Sequence, residues 1–142
     1  MYAARRAIGA YAQVGIETSV VDANPHRLIA MLFEGARAAI NMATAAIERG
    51  DVPAKLRAID KAISIIGQGL QASLDHQRGG EIATQLNSLY DYMLRRLLVA
   101  NANSDVAILA EVDKLLVPLQ DAWLAIGKPA ATAGASHLSV VS

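Results

Sequence analysis

The stretch NPHRLIAMLFEGARAAINMATAAIERG, residues 24–50, decides the fold class. Asn24 followed by Pro25 joins a capping side chain to a residue whose fixed φ suits the first helical position, and Gly50 supplies a stop. Between them Leu28, Leu32, Gly35, Ala39, Ala43 and Ala46 recur at spacings of four and three. Ile29, Phe33, Ala36, Ile40 and Ile47 widen the stripe. Residues at this spacing share one face of a helix, so the stretch predicts an amphipathic helix over about 25–49 that must bury that face.

The same grammar continues downstream. Asp51 caps a second helix over about 52–77, with Pro53 in its first turn and Leu56, Ile59, Ile63, Ile66 and Leu70 as its stripe. Gly79 and Gly80 end it. A third helix, about 81–101, carries Ile82, Leu86, Leu89, Met93, Leu97 and Ala100, and Asn101 to Asn103 break it. A fourth, about 104–126, starts at Ser104-Asp105 and carries Leu109, Val112, Leu116, Leu119, Trp123 and Ile126. At about 1.5 Å per residue the four are each roughly 30–37 Å long. Short loops between helices of matched length force antiparallel neighbours, so an all-α, up-down-up-down four-helix bundle is predicted.

Three features complicate that bundle. Pro118 lies inside the fourth helix, where it removes a donor and crowds the Lys114 carbonyl, predicting a kink or break worth about 3 kcal/mol. Gly35 and Gly69 sit inside helices at about 1 kcal/mol each relative to alanine. They are either tolerated irregularities or sites of close approach. Residues 1–23 carry Tyr2, Ile8, Tyr11, Val14 and Ile16 with glycines between them, a composition that fits a frayed extension and a docked strap equally. Residues 1–126 thus read as one domain with an N-terminal strap, and 127–142, rich in Ala, Gly, Ser and Pro, as a flexible tail.

Composition narrows the function. Lys plus Arg and Asp plus Glu are 13 each in 142 residues, so net charge gives no argument for nucleic acid or an anionic surface. No cysteine is present, which excludes thiol and disulfide chemistry. Arg5-Arg6 and the following Ala7–Ile16 are too polar and broken for a secretory core, and no apolar run reaches the roughly 18–20 residues of a membrane span. The chain is expected to be soluble.

Catalytic readings lack residues. His26, His76 and His137 have no second ligand at i+3 or i+4 and read as solvated side chains. A histidine phosphotransfer bundle, the second functional reading, needs a nucleophilic histidine in mid-helix, and neither His26 nor His76 is so placed. The stripes contain no Glu for a di-iron site, and Gly79-Gly80 is not followed by the Lys-Ser or Lys-Thr of a phosphate loop. Asp91 and Arg95 read as a solvated pair on one helix face. No enzyme, cofactor or metal is expected. What remains is apolar surface: Leu89, Tyr90, Tyr92, Met93, Leu94, Leu97 and Leu98 on the third helix exceed one stripe, as do Leu28 to Phe33 on the first.

Several ordered motifs then resemble the FliS family of flagellar secretion chaperones over residues 7 to 126. They are Ala10-Tyr11-Ala12-Gln13-Val14, then Asn24-Pro25-His26-Arg27-Leu28-Ile29 with Met31-Leu32-Phe33-Glu34-Gly35-Ala36. Gly79-Gly80-Glu81-Ile82-Ala83 continues through Leu89-Tyr90-Asp91-Tyr92-Met93 to Arg95-Arg96-Leu97, and Asp121-Ala122-Trp123 closes the set. Asn24 stands where the family usually has serine, one cap for another, and Pro118 is outside its pattern. The resemblance implies a cytosolic chaperone that binds the disordered C-terminal segment of flagellin, prevents premature polymerisation and delivers it to the flagellar export gate. It implies an N-terminal element around Tyr11 that covers the partner surface. Carried over, the partner-binding candidates are Tyr11 and Val14 on the strap, Ile29 and Phe33 on the first helix, Ile66 and Leu70 on the second, and Tyr90 and Met93 on the third. Exposed apolar grooves also predict weak homodimerisation at high concentration.

Overall fold

The computed structural model describes residues 24–127. Four helices run in sequence: α1 Pro25–Glu48, α2 Val52–Ser64 with a π-helical continuation Ile65–Gln71, α3 His76–Asn103 and α4 Val106–Ile126. α1 packs on α2 and α4, and α3 on α4 and the π-helical segment, the arrangement of an antiparallel bundle. The predicted fold class is the observed one. The strap with Tyr11 and Val14, and the tail from residue 128, lie outside the described residues.

Each helix begins on the same device. Asn24 Oδ1 accepts from Arg27 N at 2.7 Å, Asp51 Oδ1 from Ala54 N at 3.1 Å, Asp75 Oδ1 from Gln77 N and Arg78 N, and Asp105 Oδ1 from Ala107 N and Ile108 N. Satisfying these first-turn donors is worth about 1 kcal/mol per cap. The caps also correct two boundaries. Asp75 starts a helical turn at His76, so the second helix ends at Gln71 rather than near residue 77. Gly80, at φ 52 and ψ −122, then breaks that turn before α3 proper continues.

At its far end α3 runs through Asn101 to Asn103, which were expected to break it. Lys55, only 7% exposed, reaches across from α2 and donates to Asn101 O and Ser104 Oγ, both at 2.9 Å. A cation on the last carbonyls of a helix satisfies orphan acceptors and faces the negative end of its dipole. Ser104, at φ 48, makes the left-handed turn that closes the helix.

The core follows the α1 stripe. Leu28, Leu32, Ala36, Ile40, Ala43 and Ala46 are nearly inaccessible, and small alanines let α2 and α4 approach closely. Ile59, Ala62 and Ile66 from the second helix, Met93 and Leu97 from α3, and Leu109, Val112 and Leu116 from α4 complete it. Two members of the predicted stripes are instead exposed: Leu56, because Lys55, Ala58 and Ile59 take the inward positions, and Ile82, at one edge of an open groove.

The π-helical segment was not foreseen. Its widened turns coincide with Gly67 and Gly69, and a Cβ on Gly69 would stand 2.7 Å from Leu32 Cδ2. Gly69 is therefore a site of close approach, where α1 drives a leucine onto the backbone of the second helix. π-turns are uncommon and recur at functional positions, and Leu70 of this one lines the groove described below. Pro118 does not break α4, which is continuous from Val106 to Ile126. Pro118 and Lys114 are both exposed, so the carbonyl that loses its donor can turn to water.

Candidate partner-binding groove

At the end of the bundle where α1 begins and α4 finishes, the helices do not close on one another. A groove of about 510 Å³ opens between them. Ile29 and Phe33 of α1 form one side, and Leu119, Trp123 and Ile126 of α4 another. Ile82, Ala83, Leu86 and Tyr90 of α3 face them, with Leu70 and Leu74 at the base. The lining is almost wholly aliphatic and aromatic, a surface that excludes water poorly on its own and gains by being covered.

The walls are braced from outside. Arg37 donates through Nε to Asp113 Oδ1 and through Nη1 to Gln120 Oε1, both at 2.8 Å, fastening α1 to α4. The hydrogen bond to Asp113 raises the Arg37 pKa further, so the guanidinium keeps its charge. On the other side Tyr92 donates to Glu111, and Arg96 Nε donates to the same carboxylate at 2.9 Å, fastening α3 to α4. Those two hydrogen bonds hold the Glu111 carboxyl below its ordinary value. Gln71 Nε2 donates to Asp91 Oδ1 at 2.7 Å and Asn87 Oδ1 at 3.0 Å, tying the π-helical segment to α3. Asp91 thus serves a tie between helices, not the solvated pair with Arg95 that its spacing suggested.

His26 departs furthest from expectation. It is not a solvated side chain: its ring stacks on Trp123 with centroids 5.0 Å apart and planes 8° from parallel. His26 Nε2 donates to Trp123 O at 2.6 Å, and Trp123 Nε1 donates to His26 O at 2.9 Å. This fixes the indole as a groove wall and leaves the imidazole engaged, not presented for phosphoryl transfer. His76 is exposed in the first turn of α3. Among the described residues no group of three or more His, Asp or Glu is placed to hold a metal ion.

Of the candidates named from sequence, Ile29, Phe33, Leu70 and Tyr90 line the groove together. Ile66 and Met93 have no accessible surface and lie in the core, because their positions on the helices turn them to the bundle axis. They back the groove without facing it. Trp123, Ile126, Leu86 and Ile82 were not named as contacts. Their signal was an apolar stripe running to the helix ends, where no neighbouring stripe remained to cover it.

The chain matches the family model described as flagellar protein FliS over residues 7–130. Over 123 residues, 87% of this chain, it is 52% identical to the flagellar secretion chaperone FliS of Salmonella typhimurium, covering 91% of that protein. Over the same share of this chain it is 47% identical to flagellar secretion chaperone FliSB of Pseudomonas aeruginosa, covering 96% of it. It is 41% identical to FliS of Escherichia coli, covering 90% of that protein.

Proposed function

The chain belongs to the FliS family of flagellar proteins, and on that premise we propose that it is a secretion chaperone whose groove takes the C-terminal segment of flagellin. This is a family of chaperones and not of enzymes. The observation that carries the reading is the groove itself: an apolar trough between α1, α3 and α4 at the end of the bundle where α1 begins.

A partner that must stay unfolded for export carries apolar side chains that need a temporary cover. A segment that becomes helical as it enters such a groove buries a large apolar area, while its ordering entropy offsets part of the gain. The outcome is specific binding that can still be released. Helix-in-groove recognition uses anchors at i, i+3, i+4 and i+7, and Ile29, Phe33, Leu70, Leu86 and Trp123 offer matching apolar walls.

By the family resemblance, binding takes place in the cytosol, and the complex is handed to the flagellar export gate. No described helix is long and apolar enough to cross a membrane. The segment around Tyr11 and Val14 competes for the groove and lowers the apparent affinity by the fraction of time it is docked. A groove left open favours weak self-association at high concentration.

Calorimetric titration of the full chain with a flagellin C-terminal peptide, alongside circular dichroism, tests the reading. Saturable binding with a gain in helicity is expected. Neither heat nor added helix at high peptide concentration would overturn it. Deleting residues 1–18 should shift the affinity while leaving the helical content nearly intact.

A further inference from the structure

Tyr90 is a polar residue in an apolar groove. Of the α3 residues that line it, Tyr90 lies farthest along the helix, about 12 Å of helix rise beyond Ile82. The residue is only 3% exposed, yet its hydroxyl has no hydrogen-bond partner among the described residues. The one fully enclosed side-chain polar atom there without a partner is Asn101 Oδ1. The Tyr90 oxygen is therefore not sealed in the core and meets the groove it lines.

The other polar groups of the lining have work already. Trp123 Nε1 donates to His26 O, Ser73 Oγ donates to Gly69 O at 2.6 Å, and Asp75 caps α3. Burial pushes the Tyr90 hydroxyl well above the ordinary phenol range, which keeps it a neutral donor. A donor at the floor of an apolar groove is poorly hydrated, and an acceptor brought by a ligand gives it the hydrogen bond that its own chain does not supply. A helix laid in the groove has acceptors to spare, since the carbonyls of its last turn lack partners within the helix.

We propose that the Tyr90 hydroxyl is the polar anchor of the groove, donating a hydrogen bond to a terminal-turn carbonyl of the bound segment and so fixing its register. This rests on the flagellin reading above. The apolar walls reward any apolar helix, whereas a single buried donor rewards one alignment along the groove and penalises the others.

Tyr90→Phe separates the anchor from packing, because it removes one oxygen and keeps the ring. Titration with the flagellin peptide should show affinity reduced roughly three- to tenfold, the factor for one net hydrogen bond. In parallel melts the free variant should be as stable as wild type or more so. Equal affinity for both chains would overturn the assignment alone. A fall in melting temperature together with affinity would make the hydroxyl structural, and would also overturn it. A wild-type chain that binds no peptide would overturn the flagellin reading, and this assignment with it.

Discussion

His26 and Trp123, 97 positions apart in sequence, hold one another by two opposed hydrogen bonds and a ring stack. Each ring nitrogen donates to the other residue's backbone carbonyl. The pair fastens the first turn of α1 to the last turn of α4 and fixes the indole that walls the groove. Gly127 is the condition for it: a Cβ there would stand 2.0 Å from His26 Cε1.

His26→Ala should therefore destabilise the bundle by about 1–3 kcal/mol, the sum of one partly buried hydrogen bond and one aromatic stack. Trp123 is the only tryptophan in the chain, so its fluorescence reads the groove wall directly. A red-shifted, more mobile indole is expected in His26→Ala, and in Gly127→Ala as well. Unchanged emission and stability in both would contradict the pairing.

Gly69 and Gly67 should respond differently to alanine although they are two residues apart. At Gly69 the added carbon meets Leu32 at 2.7 Å, and Leu32 is 1% exposed with nowhere to go. Overpacking of that kind costs about 1–3 kcal/mol. At Gly67 the nearest atom is Leu94 Cδ1 at 3.5 Å, an ordinary contact. Alanine gains about 1 kcal/mol of helix propensity at both positions and meets a clash only at Gly69, so urea unfolding should find Gly69→Ala less stable than Gly67→Ala by about 1–3 kcal/mol.

Lys55→Met keeps most of the aliphatic stem and removes the ammonium that caps α3. Asn101 O then loses its cross-helix donor, at about 1–3 kcal/mol. Hydrogen exchange should localise the loss to the α3–α4 turn, and protection at Ala100 and Asn101 should fall before that of the α1 core. A uniform loss across all helices would assign Lys55 to global packing instead.

Glu111 gives a pH dependence with a definite sign. Tyr92 and Arg96 hold its folded pKa below the ordinary value, so its contribution is complete above the unfolded pKa near ~4.3. That contribution disappears as pH falls through the lower, folded value. The melting-temperature gap between wild type and Glu111→Gln should be widest near neutrality and narrow below about pH 4. A gap constant from pH 7 to pH 3 would show that the carboxylate charge is not what binds α3 to α4.

Local chemistry alone was enough for the fold class. The four-three spacing of Leu28, Leu32 and their successors, the Asn and Asp caps and the glycine stops act within a few residues, where chain connectivity already brings the groups together. The expectation that the chain is not an enzyme agrees with its family, which is one of chaperones. Tertiary structure decided what depends on residues distant in sequence. It put Leu32 against Gly69, turned Leu56 outward in favour of Lys55, and gave Asp91 to Gln71. It divided the named candidates, setting Ile29, Phe33, Leu70 and Tyr90 along the groove and Ile66 and Met93 behind it. It joined His26 to Trp123. A helical period tells which residues share a face; it does not tell which face is left uncovered, because that is settled by where four rods of fixed length stop covering one another.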